Sequence, residues 1–345
     1  MNIAEKELIK EKIERKNHTK SIIKKFYIYA VLLIIVTLFS VINLGKTELF
    51  GRGNFLSPDN IINILRMAVP IMTLSGGFTF LMISGNIDLS VGGQMSLSAV
   101  VFAYLILNGF SFLATFVIVM ILGIIMGAIN GYFVMKLRIT PVIATLVTMN
   151  LFKGIARLMV PKGLLSIKSN ATQTMPAWIN DYGRKDVLFG LPWAFIVAVI
   201  VIVVLVIIQR KTIIGKYTAA IGGNRTAAEL SGINSVKWVW VLYIIVGLLS
   251  ALAGMARASY MSVGDPLSGT GMETNCIIAV LLGGTAFTGG EGSVIKSVIG
   301  ALIIMCVTSG LLTVIPAFWQ TFVIGGVLII AVVFNHLLVQ EKATV

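Results

Sequence analysis

Asp88 is the only charged residue between positions 67 and 135. An ionisable group in or beside a membrane-type apolar stretch is costly enough to suggest function by default. The same residue follows a glycine-containing turn and is equally suited to cap the helix after it, where a carboxylate meets the N-terminal dipole. Glu273 has a similar double reading, because with Thr270 it makes the T-x-x-E pattern of a capping box ahead of the apolar run 276–282. Lys153 and Arg157 lie four apart on one helical face, placed either to snorkel to a membrane interface or to line the outer mouth of a pathway. Gln94, Asn130, Asn150 and Asn275 sit within or at the ends of apolar runs. Their amides need hydrogen-bond partners there, supplied by neighbouring helices or by a polar solute. With Asp88, Lys153 and Glu273 they form the candidate substrate-pathway set.

Other chemistries find little support. The nearest approach to a phosphate-binding P-loop, Gly215-Lys216, continues with Tyr217 and lacks the upstream glycine. There is no H-E-x-x-H, no G-x-S-x-G and no aspartate pair on facing spans, so no catalytic residue is nominated and an enzyme is disfavoured. Cys276 and Cys306 lie inside apolar stretches, and His18 and His336 near the two ends. That spacing encodes neither a disulfide framework nor a metal site, and no cofactor is expected in the chain itself.

The elements that must position these residues are membrane helices. Of 345 residues 57% are hydrophobic and only 12% charged, with a mean hydropathy of +0.96. An ordinary soluble domain carries about 25% charge, so a soluble globule is excluded. A bilayer core about 30 Å thick needs about 20 apolar helical residues, which leaves room for many crossings and no large extramembrane domain. Residues 1–25 hold eight Lys/Arg and four Asp/Glu and form a basic cytoplasmic tail. Ten spans are expected at 26–45, 61–84, 88–107, 111–135, 140–160, 191–208, 238–256, 275–288, 297–315 and 317–335. The first is read as an uncleaved span rather than a signal peptide. The membrane-spanning body is thus 26–336, with a short tail at 337–345 and both termini cytoplasmic. Under this topology seventeen basic residues fall inside and six outside. The positive-inside rule therefore accounts for the net charge of +13 without nucleic acid. Two glycine-rich breaks, GNIDLSVGG (85–93) and TGGEGS (288–293), both fall on the cytoplasmic side and hint at an internal repeat.

Two connections are long enough to have roles. Residues 161–190, outside, carry Trp178 and Tyr182 and suit a surface cap. Residues 209–237, inside, contain a short helix over 225–231: Asn224 is a good N-cap, RTAAELS supplies Ala227, Ala228, Glu229 and Leu230, and Gly232 stands where a C-terminal glycine belongs. Ala227 with Ser231, and Ala228 with Gly232, are four apart and make a face of small residues. Such a face admits close approach by another protein, although a solvated connector would look the same.

GKYTAAIGGNRTAAELSGINSVKW (215–238) resembles the cytoplasmic loop of permease subunits in the ribose-type family of ABC importers, with a G-x-N-x-x-A-A-x-x-S-G-I core. SGNIDLSVGGQMSLSA (84–99), ITPVIATLVTMNLFKG (139–154) and AVLLGGTAFTGGEGS (279–293) resemble three further segments of that family, in its order. Asn86, Lys296 and ETNCIIA (273–279) depart from its usual pattern and bear on the solute rather than the family. The resemblance implies an all-α integral membrane permease of about ten helices that gives a sugar or similar small polar solute an alternating-access route. It further implies a second permease chain, identical or sister, two ATPase subunits that carry ATP and Mg, and an extracytoplasmic binding protein in a bacterial plasma membrane. The 225–231 helix, with Asn224, Ala227, Ala228, Glu229, Leu230 and Gly232, becomes the expected ATPase-coupling element. The rival reading is a self-sufficient secondary transporter or channel, which would want more intramembrane ionisable groups than Asp88 and Glu273.

Overall fold

The computed structural model describes residues 26–42, 55–161, 163–168, 175–184, 187–188 and 190–312, with a few single positions between 319 and 329. These residues fold into helices α1 (Phe26–Ile42), α2 (Pro58–Ile83), α3 (Val91–Leu107), α4 (Phe112–Met135), α5 (Pro141–Met159), α6 (Ala177–Gly183), α7 (Trp193–Lys211), α8 (Ile213–Gly223), α9 (Arg225–Leu230), α10 (Ser235–Met261), α11 (Met272–Leu282) and α12 (Val294–Leu312). One short antiparallel pair joins β1 (Leu165–Ser166) to β2 (Val263–Gly264).

Six of the helices, α2, α4, α5, α7, α10 and α12, are long and apolar enough to cross a bilayer. The apolar helices α1, α3 and α11 are shorter, so the expectation of ten full spans is not met by helix length alone. The span expected at 317–335 lies almost wholly outside the described residues, as do both tails. The span expected at 275–288 is displaced: α11 starts at Met272 after a non-helical run and stops before Gly283 and Gly284, the latter at a φ of +77° that favours glycine.

Burial sorts the helices into two layers. Most residues of α2, α10 and α12 are buried, and α10 packs on α4, α3 and α2 while α12 packs on α2 and α11. In contrast, α4, α5 and α7 turn Ile125, Val147, Leu158 and Val203 outward. In water a continuous apolar surface of this kind would aggregate; in a bilayer it is the lipid face. The α4–α10 contact is made through glycine. A Cβ on Gly127 would lie 2.3 Å from the Tyr243 carbonyl oxygen, and one on Gly123 2.6 Å from that of Gly247. This is the small-x-x-x-small approach by which membrane helices pack backbone to backbone.

At one end of the bundle the described residues of the 161–190 segment fold back on the helices. Ile167, Ile179 and Tyr182 are buried, Trp178 meets Phe102 and Phe112 edge-on, and the Ser259 hydroxyl donates to the Ile179 carbonyl. At the other end the two glycine-rich breaks touch: the Gly290 N–H donates to the Ile83 carbonyl at 2.8 Å, and a Cβ on Gly289 would lie 3.0 Å from the Gly85 nitrogen.

Candidate functional site

Helix α9 stands at the end where those breaks meet, and its boundaries follow from its sequence. The Asn224 side chain accepts the Ala227 N–H at 3.0 Å, supplying one of the donors that a helix start leaves unpaired. At the other end Gly232, at φ +84°, lets its own N–H reach the Glu229 carbonyl and the Ile233 N–H reach that of Ala228, each at 3.0 Å. This left-handed glycine closure is a common helix stop. Glu229 braces the turn, accepting from Arg225 Nε at 3.1 Å and from the Ser235 hydroxyl at the start of α10. Those bonds, the Ser235 one first, hold the Glu229 carboxyl below the ordinary carboxylate range.

The small residues expected to form one docking face divide. Ala228 is buried and packs into the protein's own core, so it anchors α9 rather than presenting it. The reason is geometric: a one-and-a-half-turn helix has to bury one position to be held at all, and Ala is small enough to let the backbone close. Ala227 and Ser231 are exposed, and Leu230 projects with 85% of its surface free. An exposed leucine on a short, rigidly capped helix is the kind of apolar knob that fills a partner's pocket.

Helix α8 leads directly to the glycine junction. A Cβ on Gly222 would fall 1.7 Å from the Ile83 carbonyl oxygen and 2.6 Å from the Gly290 nitrogen, so the ends of α8 and α2 and the 283–293 loop meet backbone to backbone just before α9. Gln209 on α7 fastens that loop, donating to the Gly292 carbonyl at 3.1 Å and accepting the Val294 N–H at 3.0 Å. Open clefts of about 950 Å³ and about 560 Å³ flank the α8–α9 hairpin. Lys136, Arg138 and Arg225 line the first, and Arg210 and Lys296 the second.

Asp88 is buried, and the expected cap role does not hold: the N-cap of α3 is Ser90, without a side-chain cap bond. Instead the carboxylate accepts from the Ser90 N–H (2.8 Å) and hydroxyl (2.6 Å), from Gln94 Nε2 (3.1 Å) and from Asn130 Nδ2 (3.1 Å). Gln94 and Asn130 also donate to Ser90 Oγ, each at 2.6 Å, and Asn130 Oδ1 accepts from the Thr148 hydroxyl at 2.6 Å. Every partner of the carboxylate is a donor, the pattern that suits its ionised form. Two further contacts close on the 84–90 loop: Leu89 N–H donates to Thr145 Oγ1 and the Tyr243 hydroxyl to the Ile87 carbonyl, both at 3.0 Å. The cluster thus fastens the α2–α3 turn to α4, α5 and α10. Ser90, Thr145, Thr148 and Tyr243 escape a sequence reading because hydroxyls are common in membrane helices; the only hint is that Thr145 and Thr148 share a face of α5.

The remaining pathway candidates are scattered. Asn150 is exposed and its amide donates to the Leu146 carbonyl of its own helix at 3.1 Å, away from the Asp88 cluster. Lys153 is half-buried and Arg157 exposed on the outward side of α5. Asn275 is half-buried on α11. The capping box proposed for Thr270 and Glu273 is absent, because α11 is preceded by Gly271 and has no side-chain cap. The left-handed Gly271, φ +80°, turns the chain too sharply for Thr270 to reach the first-turn amides. Glu273 lies against α3, where a Cβ on Gly92 would meet its Oε2 at 2.4 Å.

The family profile described as "branched-chain amino acid transport system / permease component" matches residues 60–332. The chain belongs to that permease family. Among its permease relatives, the ribose import permease protein RbsC of Bacillus subtilis is 34% identical over 94% of this chain and 96% of its own length. The D-allose transport system permease protein AlsC of Escherichia coli is 32% identical over 91% and 92%, and the fructose import permease protein FruF of Bifidobacterium longum 28% over 91% and 90%. A solved inward-facing ABC transporter described as of metal-chelate type aligns over 89% of this chain and 98% of its own at 14% identity and a TM-score of 0.49. This permease is therefore a multi-pass transport protein in a family of ABC permeases, and both α9 and the Asp88 cluster lie within the matched region.

Proposed function

We propose that the chain is the membrane-spanning subunit of a bacterial ABC sugar importer, a conduit that itself catalyses no reaction. About ten spans with both termini cytoplasmic place α9 on the cytoplasmic side, in agreement with the basic residues clustered there. Two ATPase subunits, which bind ATP and Mg, dock on α9 of this chain and of a second, identical or sister permease. An extracytoplasmic binding protein delivers the solute to the end capped by residues 161–190. The solute is a sugar or a similar small polyhydroxylated molecule, a reading supported by the sugar permeases matched over nearly the whole chain rather than by the amino-acid wording of the family description. The observation that carries the mechanism is α9 itself: Ala228 buried, Leu230 bare, and its root joined through Gly222 to the end of α2 and the 283–293 loop. Movement of a docked partner would reach the transmembrane bundle through that backbone junction.

The test is uptake of ribose, allose and fructose into proteoliposomes holding the permease with its ATPase and binding protein. ATP-dependent, binding-protein-dependent uptake of at least one sugar is expected. Equal uptake by the permease alone, without ATP, would move the assignment to a secondary transporter or channel.

A further inference from the structure

The run from Val263 to Gly271 is irregular apart from its two-residue strand, yet it lies along the apolar helix α3. Gly264 abuts the α3 backbone near Ala99 and Ala103, the Gly269 N–H donates to Ser96 Oγ at 3.0 Å, and Gly269 faces Gly92. From Ala103 to Gly92 is about 16 Å of helix at 1.5 Å per residue, so the run descends through roughly half of the bilayer core before α11 completes the crossing. The span is thus broken, half turns and half helix.

Irregular backbone at membrane depth persists only where it is enclosed in protein or lines a water-filled cavity. One side of this run is enclosed by α3. The other side is open: Leu267 is 52% exposed and Thr270 is also exposed. Asp265 holds the turn through the Leu267 N–H at 2.8 Å, so the exposure belongs to an ordered element. Two polar atoms in or next to the run are buried with no hydrogen-bond partner: Ser268 Oγ within it, and Glu273 Oε2 in the first turn of α11, turned toward Gly92 of α3. An orphaned carboxylate oxygen in such a setting costs several kcal/mol unless water or a ligand supplies donors.

We propose that the Val263–Gly271 run is a wall of the solute pathway and that the Glu273 carboxylate, in the first turn of α11 directly after it, hydrogen-bonds the hydroxyls of a passing sugar. The inference rests on the permease reading above and adds to it a place and an acceptor. A carboxylate accepts from two hydroxyl groups at once, and a transient partner of this kind restores what the free site lacks. The site differs from the Asp88 cluster, whose carboxylate is already satisfied by the protein.

Two measurements on the full complex test it. Leu267→Cys and Thr270→Cys should react with a charged, membrane-impermeant thiosulfonate at least tenfold faster than Val203→Cys on the lipid face of α7, the buried native thiols of Cys276 and Cys306 giving the background. Glu273→Ala should lower uptake of the best of ribose, allose and fructose at least tenfold while ATPase subunits co-purify as before, with Glu273→Gln between it and wild type. Labelling of both cysteine variants as slow as Val203→Cys, in a complex that transports, overturns the wall. Undiminished uptake by Glu273→Ala overturns the carboxylate's role. A wild-type chain that neither binds an ATPase nor transports overturns the permease reading instead.

Discussion

Asp88 shows how one carboxyl group can be held inside a membrane bundle. Its four donors come from Ser90, Gln94 and Asn130, and the amide of Asn130 is itself oriented by Thr148. Replacement by Asn turns one acceptor into a donor facing donors. Asp88→Asn is therefore expected to destabilise the solubilised permease by about 1–3 kcal/mol, read as a lowered thermal midpoint. An unchanged midpoint would show that the cluster is not a lock. Glu229 differs, being at the surface, and its carboxyl is held below the ordinary carboxylate range by the Ser235 hydroxyl first and by Arg225 next. A depressed carboxyl contributes above its unfolded value and loses the contribution as pH falls through the folded one. Between about pH 5 and about pH 8 the α9 brace should therefore not titrate, and the ratio of ATPase binding by wild type to that by Glu229→Gln should stay flat across that range. A ratio that changes inside the window would contradict the assignment.

Among the elements, the sequence makes those with local signals legible and leaves obscure those that depend on partners far along the chain. Asn224 and Gly232 mark α9 to within a residue of Arg225–Leu230, since capping is decided within a few positions. The direction in which α9 faces is not local: Ala227 and Ala228 are identical in type, and only tertiary packing decides that Ala228 is the buried one. Asp88 was recognisable as unusual, but a cap and a buried network look alike in a sequence, because Asn130 and Thr148 lie 42 and 60 positions away. The broken span is hidden for the converse reason: Pro266, Gly269 and Gly271 signal turns, and only contact with α3 puts those turns at membrane depth. Helix packing makes its own prediction. A methyl at Gly127 would press on the Tyr243 carbonyl at 2.3 Å, so Gly127→Ala should cost about 1–3 kcal/mol, measured as thermal stability in detergent. A neutral effect would mean that α4 and α10 separate more easily than the fold implies.

The whole molecule joins an outer face made for lipid, a polar lock beneath the α2–α3 turn and a projecting helix whose root touches two other elements. Coupling to ATP requires that α9 is where a partner's force enters, and one measurement addresses this directly: co-purification of the ATPase subunits with Leu230→Asp permease. Leu230 is 85% exposed, so the substitution should leave the thermal midpoint within about 0.5 kcal/mol of wild type. Ala228→Arg, by contrast, would force a charge into the core and unfold the turn. A carboxylate in place of an apolar anchor should weaken docking by about 2 kcal/mol or more, roughly thirtyfold. A folded Leu230→Asp permease that loses its ATPase subunits and ATP-driven uptake together is expected; full ATPase retention by that variant would rule out α9 as the docking element.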